Sequence, residues 1–147
     1  MPRLSITDLN NMIGYKESDL LEVYKNFRNA HTSLYNKSNK WINYFNHNIS
    51  KWNNMVNMSY ESDYALYKIT QRMYYESSVI LSDIDLMESY TDEYLSCIAG
   101  QDKDMTSNIR KLMFALTKLK LKIIDKGKTC YDLYSQTYNR LEDYYEE

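Results

Sequence analysis

Two histidines, two cysteines and a run of carboxylates are the residues of this chain with types suited to catalysis or metal binding. His31 and His47 stand about 24 Å apart along one helix at ~1.5 Å per residue, so they cannot share a site. Neither has a glutamate three residues before it, as a carboxylate-bridged metal pair in a helical bundle would need. His31 is expected to be a core histidine, bonded to a polar neighbour from the acidic second helix. Asp83, Asp85, Glu88, Asp92 and Glu93 could gather a cation, but they lack the spacing and the turn-forming glycine of a calcium loop. They are expected to form a solvated acidic face. Cys97 and Cys130 have no paired-cysteine metal spacing, and there is no glycine-rich phosphate loop or Gly-x-Ser-x-Gly elbow. The expectation is a protein that is no enzyme and takes no metal and no cofactor.

The elements that would position these groups are helices. Only three Gly and one Pro punctuate 147 residues, and the Pro is residue 2, so no ring clash interrupts a helix after the first positions. From Ser18 onward Leu20, Tyr24, Phe27, His31, Leu34, Ser38, Trp41, Phe45, Asn48, Trp52 and Met55 alternate by four and three, the spacing of a buried helical stripe. The adjoining column Leu21, Arg28, Tyr35, Ile42, Ile49, Val56 widens that stripe toward a second neighbour, while asparagines mark the opposite face. Around Asn57, Ser59 and Ser62 the phase changes, and a tight turn is expected.

A second helix carries Leu66, Met73, Ile80, Met87 and Tyr94 every seventh residue, interleaved with Thr70, Ser77, Ile84, Thr91 and Ile98. It should stop at Ala99-Gly100, where glycine suits a left-handed cap. A third starts near Asp104 on the seam Ile109, Leu112, Leu116, Leu119, Ile123. After Gly127 the seam is expected to move by one residue to Tyr131, Tyr134, Tyr138, Leu141 and Tyr145, with a bend or stutter at the glycine.

The fold class expected is all-α: an elongated up-down-up antiparallel three-helix bundle, coiled-coil-like, with a short extra N-terminal helix. One domain spans 1–147, with an N-terminal segment 1–15 and helices at about 18–58, 61–99 and 104–145. In such a topology Cys97 and Cys130 lie on the order of 38 Å apart, too far for a disulfide.

Lys and Arg number 18 against 20 Asp and Glu, so the excess positive charge that phosphate neutralisation requires is missing and nucleic acid is not an expected partner. The acidic residues concentrate in the middle helix, with eight over 59–100 against two basic ones, which suits more basic neighbours on either side. The stretch 110–122 is basic and apolar, and could suit an anionic membrane surface or a calmodulin-like groove, but its leucines belong to the seam. A membrane partner is therefore not expected, and no stretch approaches the roughly 18 apolar residues of a span. A location in the cytoplasm or within a virion follows, with no recognisable export signal.

Sixteen tyrosines remain. Tyr131, Tyr134, Tyr138, Tyr144 and Tyr145 crowd the end of the third helix beyond what one stripe can bury, and tyrosine is enriched at protein contacts. They are the candidate protein contact. The expected function is structural or in assembly, through protein–protein contacts, as a homo-oligomer or part of a larger assembly such as a virion or phage component. Alternatives are a small soluble inhibitor or adaptor that binds a host protein, and a peripheral membrane-binding helical dimer.

Overall fold

A computed structural model describes residues 20–98 and 102–146. Those residues form three helices and no strand: α1, Leu20–Met55; α2, Tyr60–Ile98; and α3, Lys103–Glu146. The leading helix expected within residues 1–15, the Ser18 cap and the Gly100 stop lie outside them.

Local polar chemistry sets the helix ends. α1 stops three residues before the expected position 58, because Asn57 adopts a left-handed φ of 57°, which asparagine tolerates better than other non-glycine residues. The Asn57 N–H then donates to Asp63 Oδ1 at 3.1 Å. Ser59 caps α2, its Oγ accepting the Ser62 N–H at 3.0 Å and its carbonyl the Asp63 N–H at 2.9 Å. The Ser62 hydroxyl reaches back to the Met55 carbonyl at 2.8 Å, satisfying an orphan acceptor at the end of α1. At the start of α3 the cap is Asp102, whose Oδ1 accepts the Met105 N–H at 2.9 Å.

The described residues fall into two compact units. The first takes the chain up to position 39 with 80–121. Its core joins Phe27, Ala30 and Leu34 of α1, Ile84, Met87 and Tyr94 of α2, and Ile109 and Leu116 of α3. His31 is buried there at 4% exposure, with its Nε2 2.7 Å from the Leu112 carbonyl and its ring between Phe27 and Tyr35. The expected partner from the second helix is thus replaced by a backbone acceptor of α3. Burial lowers the His31 pKa, and the carbonyl bond offsets this only in part.

The second unit takes 40–79 with 122 onward. Trp41, Phe45 and Trp52 of α1 pack with Leu66 and Met73 of α2 and with Ile123, Cys130 and Leu141 of α3. The indole of Trp41 donates to the Met73 carbonyl at 3.1 Å, and Trp52 meets Phe45 edge-on at 6.0 Å.

Two expectations about burial are corrected. The α1 column Leu21, Arg28, Tyr35, Ile42 enters the core only gradually: Leu21 is 57% exposed, Arg28 exposed, Tyr35 half-buried and Ile42 buried. Ile49 and Val56 are half-buried. Seven residues fall about 20° short of two α-helical turns, so such a column drifts across a stripe rather than following it.

On α3 the seam does not shift at Gly127. It continues through Gly127 itself to Cys130, Leu133, Thr137 and Leu141, leaving Tyr131 and Tyr138 exposed and Tyr134 half-buried. The helix needs no stutter, because glycine occupies a stripe position where α2 comes close. A Cβ built on Gly127 would meet Ser77 Oγ at 2.8 Å and Ser77 Cβ at 3.3 Å.

Three measurements test this packing. Trp41→Ala and Trp52→Ala should each cost roughly 3–5 kcal/mol in denaturant unfolding, through cavities in the second unit. Gly127→Ala should destabilise by about 1 kcal/mol despite better helix propensity, and should cost less in a Ser77→Gly background. Strictly additive effects of the two would refute the close approach. Because the folded state holds His31 with a lowered pKa, its contribution is present above the ordinary imidazole range and lost as pH falls through it. The melting temperature should therefore drop between about pH 7.5 and about pH 5.5, and His31→Gln should flatten that slope.

Candidate functional site: a tyrosine face on the second unit

The second unit sets four tyrosines of α2 against four of α3 in one connected run of rings. Tyr60 meets Tyr144 edge-on at 5.2 Å and Tyr64 at 6.3 Å, and Tyr64 leads to Tyr67 at 6.4 Å. Tyr67 stacks on Tyr134 at 5.3 Å and touches Tyr138 at 6.1 Å. Tyr131 links to Tyr134 at 6.3 Å and to Tyr74 at 5.1 Å. Within this unit rising numbers on α2 meet falling numbers on α3.

Helical period explains the geometry. Tyr60, Tyr67 and Tyr74 recur every seventh residue on α2, as Tyr131 and Tyr138 do on α3, so each set forms a column at the flank of its helix. The columns lie beside the buried stripe rather than in it. Tyr131, Tyr138 and Tyr74 are therefore 46%, 44% and 39% exposed, and Tyr64 and Tyr144, outside the columns, are 46% and 44% exposed. Of the tyrosines expected from the sequence as a contact patch, Tyr131, Tyr134, Tyr138 and Tyr144 belong to this run, and the side chain of Tyr145 lies outside the described residues.

A buried ion pair holds the two helices beside the rings. Asp63, fully buried, accepts both Nε and Nη2 of Arg140 through Oδ1, at 3.1 and 3.0 Å. The same oxygen takes the Asn57 N–H, so one carboxylate ties α3 to the α1–α2 turn. Tyr138 hydrogen-bonds Glu142, and that carboxylate raises the phenol above its ordinary pKa, so the ring stays neutral and its hydroxyl keeps its proton.

Asp63 and the α2 tyrosines are functional-site residues that the expected seam and contact patch do not include. Asp63 stands seven residues before Thr70 in the column that continues through Ser77, Ile84 and Thr91, so heptad counting extended backwards would have found it. The α2 rings follow their own period of seven, but one helix's periodicity does not say which neighbour its flank meets.

The groups considered for catalysis are dispersed. His47 is exposed, whereas His31 is packed in the first unit. Cys130 is buried, and desolvation pushes its thiol up to about 12, which removes its nucleophilicity near neutral pH. The supposed solvated acidic face is only partly so. Asp83 is buried, with Lys37 Nζ 4.0 Å away, while Asp85 and Glu88 converge on Lys120 at 2.8 and 3.2 Å. Asp92 and Glu93 are exposed. Among the described residues no three His, Cys, Asp or Glu side chains are grouped to hold a metal ion, and no helix is long and apolar enough to cross a membrane.

No protein-family model, curated protein or solved structure matches the chain.

Proposed function

We propose that the chain is a non-catalytic structural or assembly protein whose tyrosine face is a protein contact surface. The single observation that carries this is the connected run of eight tyrosines on α2 and α3, five of which are about two-fifths exposed or more. Tyrosine buries large area on contact with few rotors to freeze, and its hydroxyl keeps the free surface wettable. In this reading the helices run up-down-up, and the setting is a larger assembly such as a virion. The alternative of an inhibitor or adaptor for a host protein uses the same face with a different partner.

A peripheral membrane role has one observation in its favour: Phe114 and Leu121 are 63% and 64% exposed among Arg110, Lys111 and Lys118. It ranks second, because Lys120 on the same stretch is already engaged by Asp85 and Glu88.

Replacing Tyr131 and Tyr138 together by Ser should release the chain from its complexes without unfolding it, since both rings are already half in water. Tagged wild-type and double-variant chains would be compared in native extract by size exclusion with light scattering, and circular dichroism would confirm equal helicity. Monomer-sized migration of both chains would overturn the reading.

A further inference from the structure

We propose that a second copy of this chain covers the tyrosine face, with α3 packed antiparallel on α3 about a two-fold axis at Ser135. This rests on the reading of that face as a contact surface and names its occupant. A column of residues runs along α3 beside the rings. Lys128, Ser135 and Glu142 are seven residues apart on α3, so they stand in line on its surface at intervals of about 10.5 Å. Lys128 and Glu142 are exposed, and the half-buried Ser135 between them is small enough to let a second helix approach. Among the described residues Lys128 forms no salt bridge.

A two-fold axis at Ser135 sets Lys128 of each copy opposite Glu142 of the other, giving two pairs of opposite charge from one column. The same operation lays Tyr131 of one copy alongside Tyr138 of the other, so the half-exposed rings are shielded from water in both. Parallel packing of the same faces would instead place Lys128 on Lys128 and Glu142 on Glu142. The charge pattern thus selects one orientation, as complementary charges at interfaces do, while the rings supply the area. Glu142 can serve both its own Tyr138 and the incoming lysine, since a carboxylate offers about four acceptor sites.

Sedimentation equilibrium of the full chain tests this, with circular dichroism as the check on folding. The wild type should dimerise, and Lys128→Glu and Glu142→Lys should each weaken the dimer by at least about tenfold, because each substitution creates two like-charge contacts. The combined Lys128→Glu, Glu142→Lys variant should return to within about threefold of the wild type, since the pairs are reversed but still opposite. A combined variant as weak as either single one would overturn the proposal. So would a monomeric wild type; if that monomer still entered tyrosine-dependent complexes in native extract, the contact-surface reading would stand and only the second copy would fall.

Discussion

The tyrosine face depends on how closely α2 and α3 approach within the second unit, and that approach is set at Ser77 and Gly127. With Ser77 Oγ only 2.8 Å from where a Cβ would stand, nothing larger than hydrogen fits at position 127 without movement. Side chains that would otherwise fill a wider seam are displaced to its edge. Large rings at the flanks of both helices, Tyr74 against Tyr131 and Tyr67 against Tyr134, then meet over the seam instead of inside it. The same geometry explains why hydroxyls tolerate burial between these helices. Thr70, Ser77 and Thr137 each return a bond to a carbonyl of their own helix, so these three hydroxyls stay paired as the backbones draw together.

Close approach alone would let the helices slide, and the Asp63–Arg140 pair fixes their register. A buried ion pair adds little net stability, because desolvating both charges offsets their attraction. Its geometry is nonetheless specific. Both guanidinium contacts fall on one carboxylate oxygen that also accepts the Asn57 N–H, so a displaced α3 would leave a fully buried charge without its partner. Such a cost is paid only by misregistered states. The tyrosine pairs are therefore held at the same partners along the face.

Much of this fold was legible in residue spacing. Phe27, His31, Leu34, Trp41, Phe45 and Trp52 on α1, and Leu66, Met73, Ile80, Met87 and Tyr94 on α2, are all buried as their period requires. The reading failed where burial was decided by fit rather than hydrophobicity. On α3 the crowding of large rings draws the expected seam to Tyr131, Tyr134 and Tyr138, yet Gly127, Cys130 and Thr137 are inside, where the Ser77 side chain stands against position 127. The candidate contact was half legible for a related reason. Crowding of aromatic residues marked α3, but its α2 half becomes visible only when the contacts between the helices are known.

The choice of tyrosine at this edge, rather than leucine or phenylalanine, reconciles two demands on one surface. A run of aliphatic side chains of this extent would collapse against any apolar surface and specify no orientation. Tyrosine carries comparable apolar area, but its hydroxyl must find a partner wherever the ring is buried, which penalises contacts that fit badly. At Tyr138 that partner is Glu142, a residue on the surface of its own helix, so the phenol is satisfied before any second surface arrives. In the proposed dimer, orientation then falls to charges at the margin. Exposed pairs contribute at most about 1 kcal/mol each, too little to drive association but enough to separate two packings that bury the same rings. In the proposed dimer area falls to the rings and direction to the charges of the same helix, with Glu142 joining the two as the partner of Tyr138 and of the incoming lysine.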